Sequence, residues 1–353
     1  MSCHEEGHQH SGHSQKRSVD WLLWLSGLSI VGAYSLHWLF DDLGRDIAWL
    51  TIFSHSIYEL MNTIWWGVLI GIAMIAVLGR IPREFVMSAL GTQSGVRGIV
   101  RSTFAGVLLD LCSHGVLMVG AKLYERGAST GQVIAFLVSS PWNSFSLTLI
   151  LIALIGLPWT LAFIVFSMVI ALVTGVVFDR LVSSGVLPDN PNISELPSDF
   201  QFWAEAKSQY QATDVTPHYI VEMLVDGVKE SRMVMRWILF GVVLASLVRA
   251  FVSPDQFEAY FGPTLFGLAV TLLVATVLEV CSEGSTPIAA DILTRAGAPG
   301  NSFAFLMGGV ATDYTEIMIL KETTRSLKVA LFLPLVSLPQ VIALGWLMNV
   351  FAT

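Results

Sequence analysis

Charge is scarce in this sequence. Asp, Glu, Lys and Arg make up 13% of its 353 residues, against about 25% in an ordinary soluble domain. With 54% of the residues hydrophobic, the apolar surplus exceeds what one globular core can bury. It needs lipid, so a soluble domain is excluded. A basic surface is also missing. The net charge is −8, and no nucleic-acid partner is expected. Cysteine is rare: Cys3, Cys112 and Cys281 are the only ones, an odd number too far apart for a disulfide framework. No G-x-x-x-x-G-K-[ST] loop occurs, so coupling to ATP within this chain is not expected. The first 18 residues are polar and lack an apolar h-region, so no cleavable signal peptide is expected.

What is there is a series of apolar segments, near 20–40, 58–79, 98–112, 115–125, 131–157 and 159–179, then 233–251, 263–281, 284–294, 300–320 and 327–352. They predict an all-α polytopic membrane protein. The parts are a His-rich disordered tail (1–19), an extra transmembrane helix and loop (20–57), a first transmembrane repeat (58–179), a partly amphipathic cytoplasmic linker (180–231) and a second repeat (232–353). The segments 98–112 and 115–125 are too short to span a bilayer, which takes about 20 residues. A backbone break at membrane depth is tolerated only when buried in protein or lining a polar cavity. The break at Cys112-Ser113-His114-Gly115, like that at Cys281-Ser282-Glu283-Gly284, is therefore expected to line a site.

The halves repeat. Residues 109–137 and 278–306 align without a gap at an offset of 169, with 10 of 29 positions identical, among them Cys112/Cys281, Ser113/Ser282, Gly115/Gly284 and Arg126/Arg295. Asp110 falls opposite Glu279, and His114 opposite Glu283. Charge bias predicts the orientation. Lys16 and Arg17 put the N-terminus in the cytoplasm, and Arg80, Arg83, Arg97 and Arg101 mark the loop before the first motif as cytoplasmic. The equivalent loop at 252–262 has no basic residue and belongs outside. The repeats are thus expected to be inverted, each with three crossings plus a re-entrant hairpin carrying C-S-x-G, a transporter architecture.

A lone membrane cysteine is usually a small buried hydrophobe. Two repeat-equivalent cysteines at backbone breaks point instead to soft ligands for Cu(I), Zn(II) or trivalent arsenic. Asp110, His114, Glu279 and Glu283 are costly in a membrane and mark an ion or proton path unless they are salt-bridged or capped. With Cys112 and Cys281 they form a mixed S, N and O donor set that zinc or copper accepts. Because protons compete for such ligands, proton-coupled export is expected. Ser113, Ser282, Asn143, Ser144, Thr312 and Asp313 are the expected cavity lining, the last four from the paired elements SSPWNS (139–144) and GGVATD (308–313). In the tail, Cys3, His4, His8, His10 and His13 are expected to capture metal. HEEGH at 4–8 matches a zinc-protease pattern, but that pattern works only on a helix inside a folded domain.

The paired C-S-x-G hairpins and the segment YIVEMLVDGVKESRMVMRWILFGVVLASLV (219–248) resemble a bacterial family of predicted permeases that includes efflux permeases for trivalent organoarsenicals. The resemblance covers residues 58–352 and extends to the ERGAS (125–129) and RAGAP (295–299) turns and the SSP element. The family's first motif typically reads P-x-C-S-C-G; here Asp110 replaces the proline, His114 the second cysteine, and Glu279 a further proline. With the His-rich tail, the chain looks like the copper/zinc efflux branch. The resemblance implies metal export through an inner-membrane permease, not an enzyme. It implies no permanent cofactor, zinc or copper as cargo with arsenite as the alternative, and protons and lipid as partners, leaving the oligomeric state open.

Overall fold

Residues 20–39, 47–78, 95–108, 113–125, 127–139, 145–192, 216–278 and 282–352 are described by a computed structural model of the chain. Among them the elements are all helices: α1 (Trp21–Leu39), α2 (Ala48–Leu78), α3 (Val96–Leu108), α4 (Ser113–Glu125), α5 (Thr130–Ser139), α6 (Phe145–Ile155) and α7 (Leu157–Ser183). After the polar stretch come α8 (Pro217–Phe251), α9 (Pro254–Phe261), α10 (Leu265–Leu278), α11 (Ser282–Arg295), α12 (Pro299–Thr312), α13 (Tyr314–Thr324) and α14 (Leu327–Ala352).

Local sequence sets many of these boundaries. Proline, which lacks an N–H to leave unpaired, stands at the start of α7, α8, α9 and α12. Thr216 caps α8, and Ser253 with Gln256 forms a capping box on α9. The chain turns by 112° between α8 and α9. The amphipathic stretch 218–230 is the first part of α8, a 35-residue helix.

The repeat is written into the helix starts. α2/α8 begin at 48 and 217, α3/α10 at 96 and 265, α4/α11 at 113 and 282, α5/α12 at 130 and 299, and α6/α13 at 145 and 314. Each pair lies 169 residues apart, the spacing of Cys112 and Cys281. The register slips by one before the last pair, α7 and α14, which begin at 157 and 327. There Gly156 (φ 83°) joins α6 to α7 alone, while Arg325 (φ 51°) and Ser326 join α13 to α14.

Close contacts fix the directions of the helices. We call the end where α2 starts and α8 finishes the upper end, since Trp49 stacks on Phe251 at 5.7 Å there. At the lower end, a Cβ on Gly227 of α8 would lie 2.4 Å from Cβ of Ala76 in α2. α10 and α12 run parallel. Asn301 at the start of α12 donates to the carbonyls of Phe261 and Gly262, just before α10. At their far ends Thr276 and Thr312 share a hydrogen bond of 3.0 Å. The intervening α11 must therefore return to the upper end, where Arg295 lies 4.8 Å over the ring of Phe257 in α9. α10 and α11 form a re-entrant hairpin from the upper end.

The first repeat has the same construction, upside down. Ile99 at the start of α3 and Gly131 at the start of α5 both abut Gly175 near the end of α7. Gly106 late in α3 abuts Ser139 at the end of α5. α3 and α5 are thus parallel, and α4 returns between them. Phe163 and Phe166, early in α7, pack on Phe303, early in α12, with centroids 5.5 and 6.2 Å apart. The start of α7 is hence at the upper end and its finish at the lower, so the α3–α4 hairpin enters from below. Each limb of this hairpin has 13 residues, about 20 Å of helix, less than the ~30 Å hydrocarbon core.

The protein is therefore an all-α polytopic membrane protein of two inverted repeats. Each has one long helix (α2 or α8), a hairpin, a broken crossing (α5–α6 or α12–α13) and a returning crossing (α7 or α14). α7, the α12–α13 pair and α14 are long and apolar enough to span a membrane. α1 lies outside the repeat against α2 and α8. Asp20 at its foot pairs with Arg232 and Arg236 at 3.8 and 3.6 Å. Tyr34 donates to Asn62 at 3.3 Å.

Glycine sets the closest approach inside each repeat. Gly131 N–H donates to Asp179 at 3.0 Å, and a Cβ there would sit 2.3 Å from the Gly175 carbonyl oxygen. In the second repeat Gly300 N–H donates to Asn349 at 2.7 Å, and its Cβ would sit 1.7 Å from the Gly345 carbonyl oxygen. Backbone meets backbone at both crossings, as small residues allow in membrane proteins.

Candidate functional site

Four pairs of helix ends face each other across interruptions in the chain: Leu108 and Ser113 in the first hairpin, Leu278 and Ser282 in the second, Ser139 and Phe145 between α5 and α6, and Thr312 and Tyr314 on either side of Asp313. The Gly106–Ser139 approach brings the end of α3 beside the end of α5. The Thr276–Thr312 hydrogen bond does the same in the second repeat. The repeats then exchange partners. α4 packs on α13, and α11 packs on α6. Each hairpin's return limb thus lies against the broken crossing of the other repeat.

At the second tip, α8 comes unusually close. A Cβ on Gly241 would lie 2.4 Å from the carbonyl oxygen of Gly284, the glycine of the second C-S-x-G. Only glycine permits that approach, so α8 sits directly on the first turn of α11.

The expected site residues divide into three groups. Asp110, Cys112, Glu279, Cys281, Asn143 and Ser144 lie outside the described residues, as do Cys3, His4, His8, His10 and His13 of the tail. Ser113 and His114 open α4, and Ser282 and Glu283 open α11; the structure places their backbone at the two tips. Thr312 and Asp313 are fully described. Thr312 Oγ1 donates to the Gly308 carbonyl at 2.8 Å and bonds Thr276. Asp313 accepts from Thr315 N–H at 2.8 Å, capping α13. Its half-buried carboxylate is thus held at the break by a helix terminus. Among the described residues no group of three or more His, Cys, Asp and Glu could hold a metal ion.

An ionic cluster that the sequence reading did not single out joins the second hairpin to α8 and α2. Asp291 of α11 is 1% exposed. It accepts from Arg249 Nε at 3.0 Å and from Arg249 Nη2 at 2.6 Å. Arg249 Nη1 reaches Glu59 of α2 at 2.8 Å, and Arg295 lies 3.5 Å from the other Asp291 oxygen. Charged residues inside apolar segments are the signal that would have found it. A second missed residue is Asn190, whose amide donates to the carbonyls of Tyr124 and Ala128 at 2.7 and 2.8 Å, pinning the end of α4.

Inverted repeats carrying re-entrant hairpins and broken helices define a membrane transporter class. The chain belongs to the predicted permease family, which matches residues 48–350. It is similar to a Streptococcus mutans protein named as a two-component membrane permease complex subunit, with 21% identity over 65% of this chain and 72% of that protein. A Mycobacterium tuberculosis protein named as a permease, Rv2963, is 22% identical over 64% of this chain and 59% of its own length. The Bacillus subtilis protein YcgR is 20% identical over 72% of this chain and 82% of its own. No solved structure matches the chain. It is a multi-pass membrane permease.

Proposed function

We propose that this permease exports a soft or borderline metal ion, zinc or copper, by alternating access with proton exchange. The observation that supports the reading is that each hairpin's return limb, α4 or α11, packs on the broken crossing of the other repeat, α13 or α6. Cys112 and Cys281 immediately precede the first residues of α4 and α11 in sequence. The positive end of a helix dipole stabilises an anionic thiolate. Cys112 and Cys281 are the central ligands, and His114, Glu283, Asp110 and Glu279 complete the set or carry protons. Ser113, Ser282, Asn143, Ser144, Thr312 and Asp313 line the path. The tail collects metal in the cytoplasm, and the chain sits in a bacterial inner membrane with its N-terminus inside, following the basic residues at 16, 17, 80, 83, 97 and 101. Transport needs neither a permanent cofactor nor an enzymatic step.

The test is uptake into inside-out vesicles of Zn(II), Cu(I) and arsenite, with and without a proton gradient. Accumulation of zinc or copper that is lost in Cys112→Ser, His114→Ala and Cys281→Ser supports the mixed-ligand site. Arsenite accumulation indifferent to His114→Ala hands the site to the metalloid instead. No transport of any of the three overturns metal export.

A further inference from the structure

We infer that Arg249, Asp291 and Glu59 form the lock of the upper gate, and that this conformation is shut at the upper end and open toward the lower. The inference rests on the permease reading but on no particular cargo. It begins from a broken symmetry. Inverted repeats that were packed identically would join α2 to α4 as α8 is joined to α11, and α8 to α13 as α2 is joined to α6. At the upper end both contacts are made: α8 packs on α11, and α2 on α6. Since α11 also packs on α6 and α2 on α8, four helices close a ring there. At the lower end α4 and α13 pack on each other, but among the described residues no comparable packing joins α2 to α4 or α8 to α13.

The ionic cluster is similarly one-sided. It ties three of the ring's four helices, α2, α8 and α11, with Asp291 buried and Glu59 exposed. Opening the upper end means parting α11 from α8, which breaks the Arg249–Asp291 pair. At the offset of 169, Lys122 stands where Asp291 does and Arg80 where Arg249 does. Two cations replace an ion pair, so these two positions cannot form a matching lock. Among the described residues, exposed Lys122 pairs with Glu125 of its own helix. Arg295, the remaining charge on the cluster, lies against Asp291 and Phe257 and moves with the hairpin.

Spin-label distances in reconstituted protein test the lock. The native cysteines are replaced by serine, and labels are placed at exposed positions. Ile52→Cys on α2 with Tyr260→Cys on α9 reads the upper end, and Lys122→Cys on α4 with Val221→Cys on α8 reads the lower. In the unlocked variants Arg249→Gln and Asp291→Asn, the upper distance lengthens and the lower shortens together. The upper-open population rises from a minor fraction, about 10% or less, to the major one. An unchanged upper distance in folded variants overturns the lock, and so does upper lengthening with no lower shortening, which is what a mere staple would give. If both variants misfold, Glu59→Gln decides. It leaves Arg249 on Asp291 and must shift both populations part-way; no shift overturns the proposal. Since no metal is involved, failure here and failure of the vesicle test are separate results.

Discussion

Replacing Gly300 by alanine puts one methyl group where the backbones of α12 and α14 touch. The new Cβ would stand 1.7 Å from the Gly345 carbonyl oxygen and 2.6 Å from the Asn349 side-chain oxygen. Carbon at ordinary van der Waals distance needs about 3.5 Å, so the helices must part by roughly 1.5–2 Å. Neither obstacle is a flexible chain end, since one is backbone and the other is held by the Gly300 N–H and by Asn301. Overpacking of this kind costs about 1–3 kcal/mol. Separation also breaks the Gly300–Asn349 hydrogen bond in a buried place, adding about 1–3 kcal/mol. The total of about 2–6 kcal/mol lowers the melting temperature by roughly 4–12 °C, at about 2 °C per kcal/mol for a long chain. Unfolding of such a protein is operationally irreversible. The assay is therefore the temperature at which half the detergent-purified protein remains monodisperse, at a fixed heating time. Gly32→Ala is the internal control. Gly32 lies within α1 with nothing inside 4 Å of its would-be Cβ, so alanine there is neutral or stabilises by up to about 1 kcal/mol. The reasoning fails if Gly300→Ala and Gly32→Ala melt together, or if Gly32→Ala is the worse of the two.

The repeats make a sharper prediction at the equivalent crossing. Asp179 receives Gly131 N–H much as the amide of Asn349 receives Gly300 N–H. Asp179→Asn should therefore cost under about 1 kcal/mol, whereas Asp179→Ala should cost about 1–3 kcal/mol by orphaning that N–H; paired thermal-stability curves check this. Asn190→Ala removes two hydrogen bonds to the carbonyls of Tyr124 and Ala128. Amide hydrogen exchange should quicken near 124–128 while the upper end is unchanged. Gly241→Ala drives a methyl into the Gly284 carbonyl, so uptake should fall about tenfold or more with a melting loss below that of Gly300→Ala, because a shift at a site costs rate before fold. Equal loss of both would instead make this approach structural.

Much of this protein was legible in its residues. Membrane residence follows from composition, because apolar segments that no core can bury must find lipid. The hairpins follow from length: 98–112 and 115–125 are too short to cross, and a break at membrane depth needs protein around it. The inversion was readable in arginines, since one loop before a motif has them and its counterpart has none. Cys112 and Cys281 lie outside the described residues, so their proposed role as ligands rests on the sequence. Asp313 was expected to line the cavity; it stands at the break between α12 and α13, where its carboxylate caps α13.

Only the tertiary structure decided which surfaces meet. Asp291 and Arg249 are 42 residues apart and Glu59 and Arg249 are 190 apart, and no periodicity relates such positions. Whether a charge in an apolar run faces a partner or a pathway depends on how whole helices are laid together. The glycine crossings show the same limit: composition supplies glycine, but the backbone approach at Gly131 and Gly300 depends on helices brought together from 44 and 45 residues away, at Gly175 and Gly345. Most of all, the two repeats share one pattern in the sequence. Sequence fixes the symmetry because it is a property of the chain. The packing breaks it, because α8 packs on α11 while among the described residues no comparable packing joins α2 to α4.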